Sequence, residues 1–124
     1  MKVNSKSIKD FVDLIIKSGK IIESVKGTAD YKTNNKEFKK LYRIYEELNR
    51  DLDMAKDVYG QLLEHSCISV RVLSAVQCLK SNIYIIEAEN VLEKISQQDE
   101  DRHAKFESEM CLRVWRGEIS GKTL

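Results

Sequence analysis

No proline occurs anywhere in this 124-residue chain, and glycine occurs only five times. Closed sheets need both residues at many turns, because proline presets a turn dihedral and glycine alone enters left-handed conformations freely. Their scarcity excludes a sandwich or barrel and leaves helices joined by short polar loops. Cysteine is sparse too. Cys67, Cys78 and Cys111 are odd in number and irregularly spaced, which argues against a disulfide framework and for a reducing compartment. No apolar run approaches the ~20 residues a membrane span needs, and the polar start, Met1 to Lys9, is followed by no signal-peptide core. A cytoplasmic protein with no membrane partner is expected. Neither sign of charge dominates, with 21 basic side chains against 20 acidic ones, so bulk charge gives no case for nucleic acid.

What is present is an ordinary globular composition, 42% apolar and 33% charged. The length suits one domain, residues 1–124, able to bury roughly two-thirds of its unfolded surface. Period and punctuation predict six helices. Ser7 caps a first one carrying Ile8, Phe11, Val12, Ile15 and Ile16. Gly19 interrupts it, and Ile21, Ile22 and Val25 continue its apolar character to Gly27. Thr28 to Asn35 reads as a loop, after which Asn34 or Asn35 caps a second helix with Phe38, Leu41, Tyr42, Tyr45 and Leu48 inward. The third presents Ala55, Val58, Tyr59 and Leu62. Ser69 caps a fourth with Val72, Ala75, Val76 and Leu79. A turn from Ser81 to Tyr84 leads to a fifth with Ala88, Val91, Leu92 and Ile95. The sixth follows the polar stretch Ser96 to Asp101 and stops at Gly117.

The chain also echoes itself. A shift of 33 residues lays Ala55, Val58, Tyr59 and Leu62 on Ala88, Val91, Leu92 and Ile95, and Ala75, Cys78 and Leu79 on Ser108, Cys111 and Leu112. A fixed period of this length marks a helical repeat array, in which one helix pair cannot bury its apolar face alone. Two related helix pairs are therefore expected at 53–80 and 86–117, with 1–50 as capping helices at the N-terminal end.

The run Leu62-Leu63-Glu64-His65-Ser66-Cys67-Ile68-Ser69-Val70-Arg71-Val72-Leu73-Ser74-Ala75 resembles the second half of a HEAT-type repeat. There, two apolar residues and a short turn precede Val-Arg at the start of the inner helix, and small residues follow. His65 stands in the turn where that family usually has aspartate. Over about Asn35 to Gly117 the chain is similar to small bacterial HEAT-like proteins whose signature joins an "LLxH…VRxxxA" run to an "AExxLxxWxxG" ending. Here the ending is Ser108-Glu109-Met110-Cys111-Leu112-Arg113-Val114-Trp115-Arg116-Gly117, with Ser108 in place of the usual alanine. The resemblance implies an all-α fold of about six helices stacked as antiparallel pairs, with no enzymatic residues. It also implies an immunity protein of a contact-dependent growth inhibition or polymorphic toxin system. Such a protein binds one cognate toxin domain, a nuclease on this reading, as a 1:1 heterodimer. The alternative is a helical adaptor or scaffold that holds a peptide or protein.

The residues supply a candidate surface for either role. From Ile85 to Met110 eight acids face three bases, a net charge of −5, whereas residues 1–60 carry +3. With Ala88, Val91, Leu92 and Ile95 inward, Glu89 and Glu93 project outward one turn apart, Glu87 lies nearby, and Asp99, Glu100 and Asp101 cluster in the following turn. Such a face suits the basic cleft of a nuclease; it is equally what a solvated helix and an acidic first turn look like. Tyr84, leading into the acidic helix, is the aromatic expected to meet a partner. Lys36, Lys39, Lys40 and Arg43 form a basic stripe, diluted by Glu37, Glu46 and Glu47, so nucleic-acid binding is not expected. His65 and Cys67 have no second ligand pair at zinc spacing, and no glycine loop or activating partner equips a cysteine for catalysis. No catalytic residue, metal, cofactor or small-molecule substrate is expected. Cys78 and Cys111 read as small core residues, Trp115 as an anchor of the last helix, and Arg71 as a packing and hydrogen-bonding residue.

Overall fold

The computed structural model describes residues 6–97 and 100–119. Among these residues the chain is all-helical: α1 (Ile8–Val25), α2 (Tyr31–Leu48), α3 (Leu52–Leu62), α4 (Ile68–Lys80), α5 (Ile85–Ser96) and α6 (Arg102–Trp115).

Local chemistry sets most of the helix starts. Ser7 and Asp10 form a capping box on α1: the Ser7 hydroxyl accepts from the Asp10 amide at 3.1 Å, and the Ser7 amide donates to the Asp10 carboxylate at 2.9 Å. Asp51 accepts from the Met54 amide to start α3, and Asp101 accepts from the Ala104 amide to start α6. Two starts differ from expectation. The second helix begins at Tyr31, four or five positions before the residue after the expected Asn34 or Asn35 cap, because Asp30 accepts from the Thr33 amide at 3.1 Å and is itself steadied by the Thr28 hydroxyl. The fourth begins at Ile68. Its N-cap, Cys67, offers no side-chain bond, and Ser69 is not the cap. A carboxylate from another helix does that work, as described below.

Gly19 does not interrupt α1. A β-carbon built there would lie 2.6 Å from Val70 Cγ2, so its missing side chain lets α1 and α4 approach closely. α1 packs against α2, α3 and α4, and α4 packs against α1, α3, α5 and α6. The first helix, expected within an end cap, thus runs along the middle of the molecule. It sends Phe11, Ile15 and Ile22 into a core completed by Leu41, Tyr59, Val70, Leu79 and Leu92. Burying those three α1 side chains is worth about 5–9 kcal/mol gross, comparable to the whole net stability of a typical domain. The echoed positions all meet the core: Ala55, Val58, Tyr59, Leu62, Ala75, Cys78 and Leu79 are buried, as are Ala88, Leu92, Ile95, Ser108 and Leu112, with Val91 and Cys111 half-buried.

The end of α4 has a Schellman closure. The Ile83 amide donates to the Cys78 carbonyl at 2.9 Å and the Asn82 amide to the Leu79 carbonyl at 3.3 Å, with Asn82 left-handed at φ 55° and Ile83 buried beneath it. Gly117, at φ 74°, closes α6 the same way, which is why the last helix stops where glycine predicts.

Candidate functional site

The turn after α4 delivers the first candidate surface. Tyr84 follows the closure and also lies left-handed, at φ 49° and ψ 44°. Asparagine tolerates this region, whereas an aromatic residue there costs on the order of 1–3 kcal/mol and must be held by its surroundings. The ring lies over Gly60 of α3, with its Cε2 and hydroxyl oxygen 3.4 Å from where a Gly60 β-carbon would sit. Tyr84 stays 38% exposed, and Ile86, two residues on, is 71% exposed. Glu87 is exposed and makes no ion pair among the described residues. About one turn of chain thus shows solvent a strained aromatic, an isoleucine and a carboxylate outside any ion pair among the described residues.

The remaining acids do not form one face. Glu89 and Glu93 project outward as expected, but both meet Arg116 from the end of α6: Arg116 Nη2 donates to the Glu93 carboxylate at 2.6 Å, and its Nε lies 3.8 Å from Glu89. Beside them, Glu93, Glu109 and Glu118 alternate with Arg113 and Arg116 along a shallow polar groove between α5 and α6. Arg116 falls just outside the stretch whose charge is −5, so the local count overstates the bare negative charge. Glu100 is exposed. Asp99 lies outside the described residues.

Asp101 belongs elsewhere. Its carboxylate accepts from the Lys26 ammonium at 2.6 Å, and Lys26 also donates to Glu23 at 3.0 Å. Glu23 in turn accepts from both the amide (3.2 Å) and the hydroxyl (2.5 Å) of Ser69, supplying from α1 the cap that Cys67 does not give α4. One chain of charge-assisted bonds therefore ties the end of α1 to the starts of α4 and α6. Burial works to raise the Glu23 carboxyl, but the Ser69 hydroxyl and Lys26 outweigh it and hold the group below its ordinary range. The Ala104 amide and Lys26 lower Asp101 likewise. Lys26 is raised: burial disfavours its charge, and Asp101 and Glu23 more than restore it. Of these three groups the sequence singles out only Asp101, in the acidic turn that starts the sixth helix, and its pairing with Lys26 carries no local signal.

This clasp forms one wall of a cavity of about 330 Å³ at the end of α4 remote from Tyr84. Ile22, Val25, Phe38, Val72 and Leu73 give it an apolar lining, and exposed Asp30, Tyr31, His103 and Glu107, with half-buried Asn34, add polar groups to it. Glu107 is exposed as a residue, yet desolvation of its carboxyl by the protein around it pushes the group above the ordinary range in spite of His103 and Lys26 nearby. The expected loop at 28–35 concealed this site, because half of it is the first turn of α2.

On the basic stripe Lys36, Lys39 and Arg43 are exposed, while Lys40 pairs at 3.1 Å with Glu37, which is 4% exposed. The His65 ring accepts from the Cys67 amide at 3.0 Å, and no cluster of three metal-ligating side chains occurs among the described residues. Cys78 is buried and Cys111 half-buried; Trp115 packs against the core. Arg71 is half-buried, and its Nε has no hydrogen-bond partner among the described residues. No described helix is long and apolar enough to cross a membrane. Comparison with known protein families, with curated proteins and with solved structures finds no match for this chain.

Proposed function

We propose that this chain is a non-catalytic binding protein that engages a protein partner through the α4–α5 turn and the outer side of α5, and that it serves as an immunity protein. In that role it covers the active cleft of one cognate bacterial toxin domain, a nuclease, as a 1:1 heterodimer in the cytoplasm. The observation that carries the reading is Tyr84. A non-glycine residue held left-handed, half-exposed and flanked by exposed Ile86 and unpaired Glu87 combines the aromatic anchor and the charged rim that protein interfaces use. Backbone strain retained at such a place is a mark of function rather than of stability. The acids support a basic partner surface: Glu87 is free to meet a cation, and Glu89 and Glu93 already hold a guanidinium, showing the chemistry they accept. The resemblance of the Val70-Arg71 run and of the Trp115-Arg116-Gly117 ending to small HEAT-like proteins supports the narrower immunity role.

Co-expression with a candidate toxin domain tests it. Growth should be restored and the two proteins should co-purify as a 1:1 complex. A toxin that stays lethal would sink the immunity reading, whereas several harmless partners would favour an adaptor. Within a complex, Tyr84→Asn should weaken binding at least tenfold while leaving the fold intact or firmer, since asparagine accepts the left-handed backbone. Glu87→Lys should slow association and flatten its salt dependence. Unchanged affinity in both variants would remove this edge from the interface.

A further inference from the structure

The cavity beside the clasp has no part in the α5 interface and stands on its own geometry. At about 330 Å³ it falls at the small end of the range for ligand sites, roughly 300–1,000 Å³. Its lining is mixed in the manner of such sites, with aliphatic walls from Ile22, Val25, Val72 and Leu73, the Phe38 ring, and a few polar groups. The charges are one-sided. The only ammonium in the lining, Lys26, is 11% exposed and already held by Glu23 and Asp101. Asp30 and Glu107 line the cavity, are exposed, and make no ion pair among the described residues; Asp30 uses one carboxylate oxygen to cap α2, and the other accepts no hydrogen bond from a described residue. Two carboxylates outside any ion pair thus line the cavity, beside the His103 imidazole and one ammonium whose charge is already matched by Glu23 and Asp101 behind it. Tyr31, 71% exposed, adds an aromatic ring beside them. An anion would meet like charge. A neutral apolar molecule would leave both carboxylates without a partner. A cation with an apolar body satisfies the aliphatic walls and the carboxylates together, its ammonium directed at Asp30 and Glu107 and its body near the exposed Tyr31 ring.

We propose that this cavity binds a small organic monocation, an ammonium carried on an aromatic or branched aliphatic body. The full chain, labelled with nitrogen-15, would be titrated by two-dimensional NMR with three probes of one shape: phenethylammonium, 2-phenylethanol and phenylacetate. The first should shift amides at Gly27, Thr28, Tyr31, Val72 and His103 and saturate on the order of 1 mM, as its few heavy atoms allow. The neutral alcohol should bind about tenfold more weakly or worse, and the anion should not bind. The double variant Asp30→Asn, Glu107→Gln retains a competent cap on α2. Its unchanged spectrum elsewhere would show that it folds, and it should reduce phenethylammonium to the affinity of the alcohol. Phenylacetate binding as well as the amine, shifts centred away from the cavity, no saturation with any probe, or an indifferent double variant would each overturn the proposal.

Discussion

Gly19 and Gly60 both sit inside helices, where glycine costs roughly 0.5–1 kcal/mol relative to alanine, yet they answer to different neighbours. At Gly19 an added β-carbon meets Val70 Cγ2 at 2.6 Å, on a buried, branched side chain that has no room to retreat. Gly19→Ala should therefore lose about 1–3 kcal/mol. At Gly60 the added carbon meets the Tyr84 ring at 3.4 Å, an ordinary contact, so Gly60→Ala should gain about 0.5–1 kcal/mol from the helix backbone. Urea unfolding of the two variants should move in opposite directions; a gain at Gly19 would mean that the α1–α4 contact has room for a methyl group. The thiols offer a second check at this scale. Burial, with Glu87 nearby, pushes Cys78 up to about 12, and burial with Glu107 pushes Cys111 up to about 11. At pH 8 iodoacetamide should label half-buried Cys67 first, and Cys78 only on unfolding; mass spectrometry of the peptides reads the order. The sequence made several such residues legible. Ser7 before a periodic run, Gly117 after one, and Cys78 on an apolar stripe each carry a local signal. Asn82 carries a subtler one: an asparagine two positions past the last helical residue and just before an apolar residue is the Schellman pattern.

At the scale of elements, the starts of α4 and α6 depend on partners far away in the chain. Glu23 reaches Ser69 across 46 residues, and Lys26 reaches Asp101 across 75. No window on the sequence shows such a cap, so Ser69 read as the cap of its own helix and Asp101 as part of an acidic face. The six helices themselves were legible because amphipathic period and helix length are local properties. Their neighbours were not, and α1 read as an end piece because it lacks the 33-residue echo. The clasp has a pH signature. Glu23 and Asp101 ionise below their ordinary values of 4.5 and 3.8 in the folded chain, so the unfolded chain binds protons more readily. Their contribution is present above those values and is lost as pH falls through the lower, folded ones. Lys26 is raised above 10.5, so its contribution holds below that value and fades as pH rises through the higher folded one. Stability from the clasp should be level between about pH 5 and pH 10. The variant Glu23→Gln, Asp101→Asn should be about 1–3 kcal/mol less stable than the parent at pH 7. At pH 3 the difference should shrink. An equal gap at both pH values would mean that the carboxylates stabilise nothing by their charge.

For the whole molecule, α1 and α4 between them touch every other helix, whereas α2 leans chiefly on α1, and α6 on α5 and α4. Native-state hydrogen exchange should find the slowest amides in α1 and α4, near Ile15 and Val72, with α2 and the end of α6 opening at lower free energy. Slowest exchange in α5 and α6, with early loss of α1, would contradict a central first helix. The charge asymmetry seen in the sequence is real at this scale but redistributed. Arg116 covers part of the α5 acids, and Lys26 draws Asp101 to the far end of α4, which leaves Glu87 as the unpaired acid nearest to Tyr84 along the chain.

The 75-residue reach of the clasp fixes an order of events during synthesis. Chains leave the ribosome from the amino end, at about 5–20 residues per second, so Glu23 can find Ser69 while α6 is still unmade. Lys26 then waits, an ammonium without its second carboxylate, until Asp101 emerges. The recess it borders is finished last of all, because His103 and Glu107 arrive only with the final helix. A nascent chain stalled before α6 would carry five helices and lack His103 and Glu107, leaving that recess without the side that α6 supplies.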